Sequence, residues 1–237
     1  DIQAQKVGCQ AGTVSVTNVP VTNPGSVGSY TITWSNDNGS GEVYIVDDDQ
    51  VTINANVEQT MVFDLNLGTA STDTSSAPYT LDLGILSPTL AIGSDDSLQD
   101  GIWVDIGTNA SSGVVITVKS ANSALQSSSV PTDEIASGAV ADTTEGYGIC
   151  VASGGNGIPN ATEGTLTADA AFDYGSCSAT AWDVGTLTGS TQTIFTSGSA
   201  PIFEGQAQIR VAASISSTTP AHDDYADTLT FIATATY

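Results

Sequence analysis

Three cysteines, one histidine and an excess of carboxylates are the residues of this chain whose types could carry chemistry. We expect Cys150 and Cys177 to form a disulfide in an exported protein. Closing that loop would stabilise the fold by about 3.6 kcal/mol in the chain-entropy model. Cys9 would then be a free thiol or an intermolecular link. The alternative pairs Cys9 with one of the other two cysteines and tethers the N-terminal segment.

The histidine does not predict a catalytic centre. His222 stands in a Pro-Ala-His-Asp-Asp sequence that is typical of an exposed turn. A glycosidase would need only two carboxylates in a cleft, but Trp34, Trp103 and Trp182 lie in strand contexts, which favours core packing over sugar platforms. We therefore predict that the protein is not an enzyme and has no catalytic residues.

The carboxylates favour calcium over other metals. A single histidine and the lack of Cys-x-x-Cys spacing argue against zinc, whereas clustered carboxylates on a loop suit a hard cation. Asp47, Asp48 and Asp49 are the candidate ligands, and Asp223-Asp224 with Asp227 form a similar cluster. Adjacent aspartates also arise in the turns of any acidic chain. We expect no cofactor other than calcium.

Three N-x-Ser/Thr sequons give candidate glycosylation sites at Asn38, Asn109 and Asn160.

The charge of the chain excludes several classes of partner. Its 26 acidic residues give a net charge of -23, which repels nucleic acids and anionic membranes. No apolar run is long enough for a transmembrane helix. A sequence that starts at Asp1 without a hydrophobic leader is expected for a mature form after signal removal, or for a trimmed chain. We expect a secreted protein at the cell surface.

The hydrophobic pattern predicts an all-β fold with little or no helix. Many short Thr/Val-rich segments separated by turn residues favour an antiparallel sandwich or jelly roll, Ig-like or pilin-like. We expect one domain over residues 23–237, preceded by a separate segment over residues 1–22. Two hairpins are predicted, from strands at 29–34 and 42–46 and from strands at 101–106 and 114–119. A short helix capped by Thr132 is the one helical candidate.

Two stretches alternate more strictly than the rest. Over residues 227–237, apolar side chains from Leu229 to Tyr237 take one parity and threonines take the other, with Ile232 as the one exception, which predicts a strand in the middle of a sheet. Residues 51–67 place apolar side chains at nearly every odd position, which predicts one long bent strand or two in line. Residues 79–86 are a further predicted strand.

The C-terminal stretch resembles that of spore-coat-U-like and archaic chaperone–usher pilin domains. Pro220-Ala221, Tyr225, Asp227-Thr228 and the final Tyr237 carry the resemblance, and the rest of the chain looks like exported surface β-sandwich proteins. The resemblance implies a filament subunit that polymerises by donating a strand to its neighbour. Residues 1–22 would then be the donor; the inserted side chains would be Val14, Val16, Val19 and Val21.

Two other interpretations remain open at this stage. The segment over residues 13–22 could instead fold back on its own sandwich. The alternative function is that of a secreted adhesin or glycan-binding module, dependent on calcium, with glycans or other surface proteins as partners. The expected partner in the first interpretation is a second copy of the chain.

Overall fold

The fold is known from a computed structural model that describes residues 22, 24–34, 39–46, 50–68, 76–94, 101–152, 159–173, 177–178 and 181–237. The chain divides into two compact units, residues 1–56 and residues 57–237. Every regular element in the described ranges is a β-strand and every named strand pair is antiparallel, which confirms the predicted all-β class. Among these residues, no helix is long and apolar enough to cross a membrane.

The described part of the first unit contains one antiparallel hairpin. Strands β1 (Gly28–Trp34) and β2 (Gly39–Ile45) pair from Gly28 opposite Ile45 to Trp34 opposite Gly39. The first predicted hairpin is therefore confirmed. Its strands are rich in Thr, Tyr, Ile and Val, which suit a pleated surface.

The second unit is built from short strands with one long strand near the C-terminus. In chain order they are β3 (Met61–Gly68), β4 (Ile92–Gly93), β5 (Gly101–Thr108), β6 (Val114–Ser120), β7 (Ala124–Ser127), β8 (Glu134–Ala136), β9 (Gly146–Val151), β10 (Thr167–Ala168), β11 (Cys177–Ser178), β12 (Ala181–Trp182), β13 (Gln192–Thr196), β14 (Ile202–Ser214), β15 (Tyr225–Ala226) and β16 (Leu229–Ala235).

These strands form two main sheets with a shared core. The first sheet has the order β3-β5-β14-β4, and β9 also pairs with β14; the second has the order β10-β13-β6-β16. Ala212 and Ala213 pair with β4 and also with β9, so those two strands lie on opposite sides of β14. Side chains of alternate parity from both sheets meet in one buried cluster, which includes Val104, Ile116, Val118, Phe195, Ile209 and Val211.

The second predicted hairpin is wrong in its pairing. Strands form close to the predicted positions as β5 and β6, but β5 pairs with β3 and β14, whereas β6 pairs with β13 and β16. The loop between them therefore carries the chain from one sheet to the other. A turn-like loop between two strands suggested a hairpin, but alternation fixes only which side chains face the core, and two strands in opposite sheets can satisfy it equally well.

Three other predicted elements also differ. The predicted helix at Thr132 is wrong: β8 forms there and pairs with β7, with Ile135 fully buried between exposed Glu134 and Ala136. Tertiary burial outweighs the local helical signal. Within residues 51–67, a strand begins only at Met61, and residues 79–86 form no strand although Leu81 and two other leucines pack against the core.

The disulfide closes one side of the sandwich, as predicted. Cys150 and Cys177 are joined at a Cα–Cα distance of 5.8 Å and lie in a second buried cluster with Trp182. The buried Arg210 donates to the backbone oxygen of Cys177 and, from Nε, to Gln208 Oε1 at 3.2 Å. Gly93 leaves room for the indole, because a Cβ there would lie 2.2 Å from the Trp182 ring.

Candidate functional site

In the described part of the chain, the last strand lies at the edge of its sheet. Its single neighbour there is β6, whereas the sequence predicted a strand in the middle of a sheet. Thr228 O accepts from Ala121 N at 3.0 Å, and Thr236 exchanges backbone hydrogen bonds with the turn before β6. Even-numbered residues therefore direct their backbone groups toward β6. Because this direction alternates in an antiparallel ladder, the outward N–H and C=O groups belong to Leu229, Phe231, Ala233 and Ala235.

The inward side chains at this edge are incompletely covered. Leu229, Phe231, Ala233 and Ala235 pack against the core but are only half-buried. Phe63, Leu65 and Leu67 of β3, the edge strand of the facing sheet, are half-buried as well. Tyr237 links the two edges, since its hydroxyl donates to Thr60 O at 2.7 Å just before β3 begins. This side of the sandwich, which we name the open side, thus exposes parts of two apolar rows.

The backbone edge of β16 carries none of the usual protection against pairing with another chain. Natural edge strands are blunted by lysines, other charges or prolines. Leu229–Ala235 contains no charged residue and no proline. In contrast, the β3 edge carries Asp64. In a chain with a net charge of -23, β16 is therefore a locally uncharged strip.

Asp227 fixes the turn that leads into this edge. Its carboxylate accepts from Ser120 Oγ at 2.6 Å, from the backbone N–H of Asn122 at 3.1 Å and from that of Thr228 at 2.8 Å. Tyr147 donates to the same carboxylate at 3.3 Å. Burial and, after it, the Asp227 charge raise the pKa of Tyr147 far above its usual value, so the phenol stays protonated.

Asp224 fixes the preceding turn in the same way. It accepts from the hydroxyls of Ser127 at 2.7 Å and Ser128 at 2.9 Å, and from the backbone N–H of Ser129 at 2.7 Å. Hydrogen bonds from these serines hold the pKa of Asp224 well below its usual range. The oxygens of Asp224 and Asp227 are thus engaged by protein donors, which gives this acidic cluster a structural explanation without a cation.

Two residues of the C-terminal resemblance, Pro220 and Tyr225, are in contact just before β16. Tyr225 donates its hydroxyl to Pro220 O at 3.0 Å, five residues upstream, and packs edge-on against the ring of His222. His222 Nε2 lies 2.7 Å from Asp133 Oδ2. These contacts fasten the connection from β14 to β16.

The chain enters the second unit through a second fixed point. Asn109 accepts from the backbone N–H of Thr60 at 2.9 Å and donates to Glu58 O at 2.6 Å. Thr108 Oγ1 also donates to Thr60 O, at 2.8 Å. Asn109 is one of the predicted sequons, and a glycan on its Nδ2 would have to accommodate the hydrogen bond to Glu58.

The stretch immediately before this fixed point is exposed and pairs with no described strand. Residues 51–57, which we name the 51–57 segment, belong to no helix, strand or turn. Its alternating side chains Val51, Ile53 and Val57 are 84%, 86% and 80% exposed. Sequence reasoning recognised the alternation but not the lack of a partner. The one available signal was Gln59, the polar residue that interrupts the apolar parity.

Several predicted site residues lie outside the described residues. They include the candidate donor side chains Val14, Val16, Val19 and Val21, the odd cysteine Cys9, the candidate calcium ligands Asp47, Asp48 and Asp49, and the sequon residue Asn38. Asn160 is described: it is exposed and forms a backbone bridge with Gln206. Over the described ranges, no group of three or more His, Cys, Asp and Glu side chains is arranged to hold a metal ion.

One pair of facing carboxylates lies on the outer face of the first sheet. Asp64 and Asp105 are directly opposite each other on β3 and β5, and Asn66 Nδ2 is 3.4 Å from an oxygen of each. On the same strand as Asp105, Trp103 is only 2% exposed and its indole N–H donates to Gly68 O at 2.9 Å. Trp103 is therefore a buried side chain, as the sequence predicted.

Neither a family model nor a curated protein matches the chain.

Proposed function

We propose that this protein is the structural subunit of an extracellular filament or surface layer, and that copies polymerise by β-strand addition at β16. The observation that carries the proposal is the uncharged edge of β16, whose outward backbone groups have no described partner and whose inward side chains are half-buried. Strand addition would satisfy both, since it supplies main-chain hydrogen bonds and covers alternate side chains.

The expected assembly is open rather than closed. If one copy supplies a strand and the next supplies the edge, the contact is heterologous and each copy carries both halves. Unless the rotation between copies happens to close a ring, such a contact repeats into a filament. A disulfide within each subunit is compatible with an extracellular location.

Electrostatics predicts how assembly depends on salt. With a net charge of -23, neighbouring copies repel one another, and this repulsion is screened at higher ionic strength. The contact itself is uncharged on the β16 side, so salt should promote assembly instead of dissolving it. Salt-bridged assemblies would respond in the opposite direction.

Negative-stain electron microscopy of the native material tests the proposal, alongside gel electrophoresis with and without boiling and reductant. We expect regular filaments or sheets that resist detergent until they are boiled, because a complete ladder must be opened at once. Dissolution by reductant that is reproduced by the Cys9→Ser substitution would show that Cys9 links the copies and would contradict strand addition. Monodisperse particles at all salt concentrations would contradict the filament or layer itself.

A further inference from the structure

We propose that the 51–57 segment of one copy is the strand that adds to β16 of a second copy. This inference deepens the proposed function and rests on it: it replaces the N-terminal donor expected from the sequence with a segment that the structure describes. The experiments distinguish failure of the donor assignment from failure of the proposed filament.

The 51–57 segment has the chemistry of a strand that lacks a sheet. Its apolar residues Val51, Ile53, Ala55 and Val57 share one parity, and Thr52, Asn54 and Asn56 take the other. Side chains of this first set are among the most exposed large hydrophobics of the chain. β-Branched residues at both ends and in the middle favour a β conformation once a ladder is offered. Leaving such a row in water costs free energy that a partner would recover.

The edge of β16 fits this segment in length and in charge. Both stretches are seven residues long, and neither contains a charged residue or a proline. The outward backbone groups of β16 would form the ladder. The apolar parity of the 51–57 segment would then lie over the half-buried rows of the open side, including Phe231 of β16 and Leu65 of β3.

A second copy is favoured as the occupant because the chain itself supplies an exposed, uncharged segment that matches this edge in length and in alternation. Most of the surface of this chain repels anything acidic, and a copy of the same chain is as acidic as the chain itself. Association between copies must therefore use uncharged strips on both sides. The 51–57 segment and β16 are two such strips, and the polar face of the segment, with its asparagines and threonine, would be directed to solvent.

Peptide binding tests the donor directly, without reference to filaments. The probe is a fluorescently labelled peptide of residues 50–57, titrated into the full chain with Ile53→Asp, whose own segment is disabled. We expect saturable binding, and amide signals of β16 should be the ones that shift in nuclear magnetic resonance spectra. The Ile53→Asp peptide should bind about 100-fold more weakly, because its buried isoleucine is replaced by a charge.

The matched control is the Asn54→Asp peptide. It carries the same added charge on the opposite face, so its affinity should fall less than about threefold, as expected for a solvent-exposed charge. Equal weakening by both substitutions would show a non-specific charge effect and overturn the proposal. Failure of the unmodified peptide to bind, or shifts elsewhere than at β16, would overturn it as well.

The full-length Ile53→Asp and Asn54→Asp chains separate the donor from the filament. If unmodified chains and Asn54→Asp form filaments while Ile53→Asp does not, the donor assignment is supported. Filaments from all three would overturn the donor and leave the proposed function intact. Peptide binding without filaments from the unmodified chain would overturn the filament and leave the strand contact intact. A monomer whose β16 amides lose protection on Ile53→Asp would show that the segment covers its own β16, and that result would also overturn the proposal.

Discussion

The 51–57 segment and β16 carry the same alternation of apolar and polar residues and have opposite surroundings. In β16 the apolar parity is half-buried against the core and one side of the backbone is paired with β6. In the segment the side chains of Val51, Ile53 and Val57 are at least 80% exposed, and the backbone has no partner among the described strands. A period of two therefore specifies the faces of a strand but not its neighbour. Each stretch could supply what the other lacks. The segment could pair with the free side of the β16 backbone, and β16 lies beside an apolar surface that could cover the segment's side chains.

The two stretches also differ in how they are held. β16 is fixed at its start by Asp227 and at its end by the contact of Tyr237 with Thr60. Among the described contacts, the segment is held at its C-terminal side, where Asn109 bonds to Glu58 and Thr60.

Removing the contacts that hold β16 at its start should have the largest effect on stability. Asp227→Ala leaves the buried hydroxyl of Ser120 and the N–H of Asn122 without their acceptor. We expect a loss of about 3 kcal/mol in the free energy of unfolding, measured by chemical denaturation. The control is Asp223→Ala, at an exposed neighbour, which should stay within about 0.5 kcal/mol of the parent. Equal losses for both variants would show that local charge, not the hydrogen bonds, sets the stability.

Truncating one apolar side chain to alanine in each stretch tests the difference in burial between them. Phe231→Ala should cost about 2 kcal/mol, roughly half the value for a fully buried phenylalanine. Ile53→Ala should change the stability of the monomer by no more than about 0.5 kcal/mol, because its side chain is 86% exposed. Denaturation is measured at concentrations where the chain is monomeric. A cost above about 1 kcal/mol for Ile53→Ala would mean that the segment packs within its own chain.

Loosening the fixed point between the two stretches should have a smaller effect. Asn109→Ala removes an acceptor for Thr60 N–H and a donor to Glu58 O. We expect a loss of about 1 kcal/mol and faster hydrogen exchange at the Thr60 amide. Asn54→Ala is the matched control in the segment and should leave both measurements unchanged. Unaltered hydrogen exchange at Thr60 in Asn109→Ala would show that Asn109 does not hold the backbone at this point.

The smallest effect is a pH dependence at the turn before β16. The pKa of Asp224 is lowered in the folded state by the serine hydrogen bonds, so its ionised form contributes stability above the unfolded-state pKa of about 3.9. That contribution is lost as pH falls below this value toward the folded pKa. The difference in melting temperature between the parent and Asp224→Asn should therefore be largest near neutral pH and should shrink below about pH 4. A difference that grows on acidification would contradict the sign.

The local sequence pattern predicted where many of the strands lie. It did not predict which strands are neighbours in a sheet. The β1–β2 hairpin was predictable because its two strands are joined by a short Asn/Gly loop. The presence of a disulfide was predictable from the cysteines and the expected compartment, and the structure selects the Cys150–Cys177 pair over the alternatives with Cys9. The neighbours of β5, β6 and β16 were not, since alternation is satisfied by any sheet that buries the correct face. The candidate site could not be found as a motif, because it consists of a strand that contains no charged residue or proline and that has one unpaired side among the described residues.

A mixing experiment tests whether the 51–57 segment of one copy adds to β16 of another. Ile53→Asp disables the segment and leaves β16 intact. Ala233→Pro removes an outward N–H of β16, a position where an edge strand tolerates proline, and leaves the 51–57 segment intact. Each variant alone should sediment as a monomer in analytical ultracentrifugation, and a mixture should give a dimer of one copy of each and nothing larger. Monomers in the mixture, or filaments from either variant alone, would contradict strand addition from the 51–57 segment to β16.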